Sequence, residues 1–136
     1  MYDELIAGRI YFGGADDAAS AVREKGIEKV IDLRVSGRKE TVDYSYIHKP
    51  IADESDEIPQ SIQDGVKEVI NAYQAGEKVY FHCGGGNGRA SVMAVATLME
   101  LEVAGSLEEA ENMLKEARPS ANIRPNMREA LEQLYK

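Results

Sequence analysis

A single cysteine occurs in the 136 residues, so the chain cannot close a disulfide within itself. Nothing in it therefore calls for an oxidising compartment. With two histidines, one cysteine and no ligand-like spacing, no metal site is expected. Basic residues number 16 against 24 acidic ones, and the net charge of −8 argues against nonspecific binding to nucleic acid or anionic membrane. No segment approaches the roughly 20 consecutive apolar residues that a membrane span needs. The opening residues Met1-Tyr2-Asp3-Glu4-Leu5 show neither the basic region nor the apolar run of a signal peptide. Repeats, linkers and low-complexity tracts are also missing. What remains is 43% hydrophobic and 29% charged, ordinary for a globular protein. The expectation is one cytoplasmic domain over residues 1–136, a monomer with one core, no cofactor, and no nucleic-acid or membrane partner.

Strand and helix patterns alternate along the chain. Arg9-Ile10-Tyr11-Phe12 reads as a strand ending at Gly13-Gly14. Asp16 or Asp17 is placed to cap a helix that runs to Lys25 and stops at Gly26. Residues 27–33 suit a buried strand, 35–42 a loop, 45–50 a second strand, and the acidic stretch 52–59 another loop. Ile62, Val66, Val69, Ile70 and Tyr73 fall on one helical face, which Gly76 ends. Residues 78–82 form the central strand. From Arg89 to about Leu101 the pattern is apolar nearly all round, which predicts the buried helix. Ser106-Leu107-Glu108-Glu109 is a capping box for a helix to about Ala117, and Pro125 opens a last one with Met127, Ala130, Leu131 and Leu134 inward. Such alternation predicts an α/β fold: a central, mostly parallel sheet of four to five strands flanked by helices on both faces.

Between central strand and buried helix lies His82-Cys83-Gly84-Gly85-Gly86-Asn87-Gly88-Arg89. Strand, glycine loop and helix N-terminus make a phosphate cradle, because backbone N–H groups can converge on an oxyanion and the helix adds partial positive charge. The field that holds a phosphate also stabilises a thiolate at the entrance. Cys83 is accordingly the candidate nucleophile. Arg89 is the candidate clamp, since a planar guanidinium binds two phosphate oxygens at once. An arginine in a helix first turn is otherwise misplaced, which itself suggests an anion there. Gly84, Gly85, Gly86 and Gly88 permit positive φ and close approach of backbone to phosphate. Asn87 offers its amide to the pocket rim or a left-handed turn. Neighbouring His82 is read either as orienting the loop through hydrogen bonds or as a satisfied buried histidine. His48 receives no role.

Cys-x5-Arg, with the preceding His82 and with Gly86 third in the interval, resembles the signature of the protein tyrosine phosphatase superfamily, and within it the small dual-specificity phosphatases. Pro50-Ile51-Ala52-Asp53 matches that family's mobile acid loop, and Ile123-Arg124-Pro125-Asn126 with residues 130–134 its C-terminal helix. Val30-Ile31-Asp32-Leu33-Arg34 fits an early core strand. Spacing and the resemblance make Asp53 the candidate general acid, with Asp56 as runner-up among Glu54, Asp56 and Glu57. Ala90 departs from the pattern: a Ser or Thr usually follows the arginine and helps the thiolate leave. Slow breakdown of the phosphoenzyme is therefore expected. The runs 53–57 and Glu108-Glu109-Glu111 read as solvated faces, and Arg118, Arg124 and Arg128 either rim the site or offset nearby acids.

The resemblance implies hydrolysis of phosphotyrosine, with phosphoserine and phosphothreonine as further substrates, in phosphorylated proteins through a thiophosphate intermediate. A short chain leaves little room for a dedicated phosphotyrosine loop, so broad choice is expected. The alternatives are a phosphatase of nucleotides, RNA 5′ ends or phosphoinositides, and a non-catalytic phosphate-binding module. The loop lacks the extra lysines that a highly charged head group would call for, which argues against phosphoinositides. A thiol relay of the arsenate reductase kind needs further cysteines, which the chain lacks.

Overall fold

A computed structural model describes residues 1–37 and 41–136. The expected loop over 35–42 lies partly outside the described residues. Strands β1 (Asp3–Ile6) and β2 (Ile10–Gly14) form an antiparallel pair at one edge. A short 3-10 turn at Ala15–Asp17 leads into helix α1 (Ala18–Lys25), followed by β3 (Lys29–Asp32), β4 (Tyr46–His48) and helix α2 (Ile58–Gln74). The chain then runs through β5 (Val79–Cys83), α3 (Arg89–Glu100), α4 (Leu107–Ala117) and α5 (Pro125–Tyr135). The strands lie in the order β1-β2-β5-β3-β4, and β2, β5, β3 and β4 run parallel. The expected α/β sheet is present; its antiparallel edge strand β1 was not expected, because Asp3–Ile6 is short and half polar.

Strand parity decides what faces what. Val79, Phe81 and Cys83 of β5 join the larger core with Phe12, Ile31 and the helices α2, α3, α4 and α5. Tyr80 packs on the other face with Tyr11, Val30 and the α1 residues Ala18 and Ala21. Cys83 thus lies on the α3 side of the sheet and His82 on the α1 side. In α3 every residue from Ala90 to Leu98 is buried, as the all-round apolar pattern required. This buried helix aims a fixed N-terminus at the end of the central strand.

Helix ends partly follow expectation. Gly26 closes α1 in the left-handed region at φ 68°. Asp17 stands at the N-cap of α1 but makes no side-chain capping bond; its carboxylate pairs with the Met1 ammonium at 2.6 Å instead. At α4, Ser106 accepts from the Glu109 N–H at 3.2 Å, while the Glu109 carboxylate takes the Gly105 N–H at 2.8 Å instead of that of Ser106.

Asp32, fully buried at the end of β3, anchors the loop beside the site. It accepts from the Arg34 backbone N–H and Nε, both at 3.0 Å, from Arg34 Nη2 at 2.9 Å and from the Tyr46 hydroxyl at 2.5 Å. Burial pushes the carboxyl up, but hydrogen bonds from Arg34 and Tyr46 outweigh it and hold Asp32 at about 2. A depressed folded value contributes stability above the unfolded value near 4, and that stability is lost as pH falls toward 2. Asp32→Asn is expected to cost about 2 kcal/mol at pH 7. Urea unfolding of both proteins should show this gap closing between about pH 4 and pH 2; a gap independent of pH would contradict the assignment.

Candidate active site

The loop over 83–89 is held from below by backbone contacts. The Ala15 N–H donates to the Gly84 carbonyl at 3.0 Å, and the Leu33 N–H to the His82 carbonyl at 2.8 Å. The Ser91 hydroxyl and the Asn122 N–H both donate to the Asn87 carbonyl, at 2.8 and 2.7 Å. With those carbonyls engaged outward, N–H groups are free to converge inward. Two of them, from Gly86 at 3.2 Å and Ala90 at 3.4 Å, donate to Cys83 Sγ. The sulfur, in a residue only 7% exposed, opens into a cleft of about 690 Å³ shared with Arg89, Asp53, Arg34 and Arg124.

The glycines are not equivalent. Gly86 has φ +82°, and a Cβ there would stand 2.4 Å from the Gly13 carbonyl carbon and 2.7 Å from the Gly14 nitrogen. Gly84, Gly85 and Gly88 have no positive φ, so the expected left-handed freedom is used at Gly86 alone. Those three line the cleft, where a Cβ meets open space. The end of β2 is therefore part of the site: Gly13 and Gly14 bed the loop. Sequence reasoning read them as a strand end, and only the paired Gly-Gly signals a close approach.

Arg89 bridges two loops. Its Nε donates to the Ile51 carbonyl at 2.8 Å, and its Nη2 pairs with the Asp53 carboxylate. Residues 51 and 52 are pinned, by Ile51 N–H to the Leu33 carbonyl at 3.1 Å and Ala52 N–H to the Ser61 hydroxyl at 3.0 Å. The Asp53 side chain beyond them is 63% exposed. Asp53 thus reaches the cleft, whereas Asp56 lines a neighbouring groove of about 810 Å³. The Asp53 carboxylate accepts from the guanidinium as a phosphate oxygen could.

Other candidates fall as follows. His82 is fully buried, with Nδ1 3.2 Å from the Cys83 carbonyl oxygen and 3.8 Å from Asp32. It thus reaches the backbone of Cys83. The Asn87 side-chain oxygen accepts from Arg118 Nε at 3.0 Å and the Ser120 hydroxyl at 2.8 Å. Asn87 has no left-handed φ; among the described residues Glu102 is the non-glycine that does. His48 faces the Arg34 carbonyl at 2.6 Å. Arg128 pairs with Glu111 on the surface, while Arg124 lines the cleft. Ala90 offers its N–H to the sulfur, and the adjacent Ser91 hydroxyl is turned to the Asn87 carbonyl. Among the described residues no group of three or more His, Cys, Asp or Glu is placed to hold a metal ion.

A thiol and a guanidinium around an amide-lined loop, at the carboxyl end of a central parallel strand, define the Cys-x5-Arg phosphatase class. Residues 10–136 match the dual specificity phosphatase catalytic domain, and the chain belongs to that family. It is 30% identical over 105 residues to the tyrosine phosphatase-like protein 197R of Invertebrate iridescent virus 6, an alignment covering 67% of this chain and 39% of the viral one. The chain therefore spans well under half the length of that relative. The DUSP15 crystal structure shares the fold with a TM-score of 0.84, at 22% identity, covering 98% of this chain and 86% of that one. PTPMT1 does so at 0.81, with 20% identity and 98% and 92% coverage.

Proposed function

We propose that this protein is a cysteine-dependent phosphatase that hydrolyses phosphotyrosine, together with phosphoserine and phosphothreonine, in phosphorylated proteins. The observation that carries the reading is the sulfur of Cys83 held by two loop N–H groups in one cleft with Arg89 and Asp53. The Cys83 thiolate attacks phosphorus as the ester P–O bond breaks. Protonated Asp53 gives its proton to the departing oxygen. Arg89 and the loop N–H groups hold the equatorial oxygens, where charge concentrates in the transition state. In the second step water attacks phosphorus, Asp53 takes its proton, and the P–S bond breaks to release phosphate and thiolate. Ala90 supplies no hydroxyl to the departing sulfur, so an initial burst of product followed by slower turnover is expected.

Charge around the cleft supports a protein substrate. The neighbouring groove meets the cleft at Asp53 and Val35 and carries Asp53, Glu54, Asp56, Glu57 and Asp64 against Lys49 and His48. That wall disfavours polyanions such as nucleotides, RNA 5′ ends and inositol phosphates. The second reading, a lipid head group, draws on PTPMT1, a structure of which was solved in complex with PI(5)P. Assays with EDTA present, on phosphopeptides, PI(5)P and nucleotides, decide between them. The highest kcat/KM is expected for phosphopeptides; a preference for PI(5)P would replace the protein reading, and oxyanion binding without any hydrolysis would leave a binding module.

Asp53→Asn carries a two-part expectation. Turnover of alkyl phosphates, whose leaving groups need a proton, should fall about 10²- to 10³-fold. Turnover of p-nitrophenyl phosphate should fall far less. Tungstate should bind more tightly, because the competing carboxylate is gone from Arg89. Equal losses for both kinds of ester would remove Asp53 from the acid role.

A further inference from the structure

The loop that binds phosphate is built almost wholly from glycine, and its shape must be imposed from outside. Arg118, at the end of α4, stands behind it, with a side chain only 11% exposed. Its guanidinium uses each nitrogen differently. Nη2 donates to the Gly85 carbonyl at 3.1 Å and Nε to the Asn87 side-chain oxygen at 3.0 Å. Nη1 donates to the Met1 carbonyl at 2.8 Å and to Asp3 at 2.7 Å. The two loop contacts flank Gly86, the residue in the left-handed conformation whose N–H reaches the sulfur. Arg118 is not part of the cleft lining and meets the loop from behind.

We propose that Arg118 is the positioning residue of the phosphate loop, tying Gly85 and Asn87 to strand β1 so that the loop is shaped before an oxyanion arrives. A peptide unit cannot turn its N–H into the cradle unless its carbonyl turns out, and a fixed donor holds that outward carbonyl in one orientation where water would leave it free. At Gly85 that donor is Arg118. One rigid fork also sets the distance between two acceptors on either side of Gly86, which a lysine ammonium cannot do. Asp3 balances the charge, so the contribution of Arg118 is geometric: it removes loop freedom that substrate binding would otherwise have to offset. The same segment adds the Ser120 hydroxyl and the Asn122 N–H at Asn87, making the link between α4 and α5 the back wall of the site.

This inference rests on the phosphatase reading, and its test separates the two. Tungstate affinity and steady-state kinetics on p-nitrophenyl phosphate and an alkyl phosphate are measured for wild type, Arg118→Ala, Arg118→Lys, Asn87→Ala and the surface control Arg128→Ala. For Arg118→Ala, tungstate Kd and KM should rise about 10- to 100-fold. The ratio of rates on the two esters should stay at its wild-type value, since Asp53 is untouched. Arg118→Lys should recover part of the loss, and Arg128→Ala should lose nothing. The double variant Arg118→Ala/Asn87→Ala should lose less than the sum of the two single ones, because they share the Nε–Asn87 bond. If Arg118→Ala does not fold, Asn87→Ala carries the test with the same direction of change. Folded Arg118→Ala that binds tungstate like wild type overturns the proposal, as does an unchanged Asn87→Ala when that variant stands alone. Wild-type protein that neither binds tungstate nor releases nitrophenol overturns the phosphatase reading instead.

Discussion

Cys83→Ser is expected to abolish phosphate release, by on the order of 10⁴-fold or more, while tungstate still binds. The two halves of this result have separate physical origins. Binding depends on N–H groups and on Arg89, and none of these contacts is made by sulfur. Turnover depends on an anionic nucleophile, and a serine hydroxyl ionises far less readily than a thiol. Around the sulfur stand two N–H donors, from Gly86 and Ala90, which stabilise an anion but cannot remove a proton. Serine there would therefore stay a neutral, weak nucleophile. Mass spectrometry of protein quenched during turnover should find a phosphate adduct on the wild type and none on the variant. Residual turnover within tenfold of wild type would mean that the chemistry does not pass through Cys83.

Gly86→Ala should be the most damaging of the single-methyl changes in the loop. Alanine at φ +82° carries the strain of a left-handed backbone, and the added carbon would sit 2.4 Å from the Gly13 carbonyl carbon and 2.8 Å from its oxygen. Those are backbone atoms of β2, itself paired to β5, and cannot step aside without breaking the sheet. A loss of about 3 kcal/mol or more in unfolding free energy is expected. In the fraction that folds, kcat/KM should fall about 10³-fold, because the Gly86 N–H no longer reaches the sulfur. Gly85→Ala is the control: its Cβ would meet open space at an ordinary φ, so its unfolding midpoint should stay close to wild type. Equal destabilisation by the two variants would show that the contact with β2 does not shape the loop.

Much of this could be read from the chain alone. Periodicity placed α2 and α3, apolar runs placed β3 and β5, and the Cys-x5-Arg spacing located the cradle. Each of these is a local pattern with a single physical cause. The contacts that complete the site are not local. Arg118 lies 33 and 31 residues from Gly85 and Asn87, and in the sequence it was one of three arginines with no sign of which faced the loop. The pairing of Asp53 with Arg89 spans 36 residues and depends on where the acid loop folds back. Strand β1 was invisible because Asp-Glu-Leu-Ile carries no clear alternation, and its pairing is fixed by β2. The signature singled out Gly86 among four similar glycines, but the physical reason, its contact with Gly13 and Gly14, came only from the fold.

The ion pair between Arg89 and Asp53 gives the resting cleft its own counter-ion. On the proposed reading, an anion that binds Arg89 exchanges for that carboxylate. Singly charged solutes such as chloride or acetate gain little by that exchange, whereas a doubly charged phosphate ester brings more charge than it displaces. On the proposed reading, the Arg89–Asp53 pair thus selects by valence, and the carboxyl group exchanged from Arg89 is the proposed proton donor.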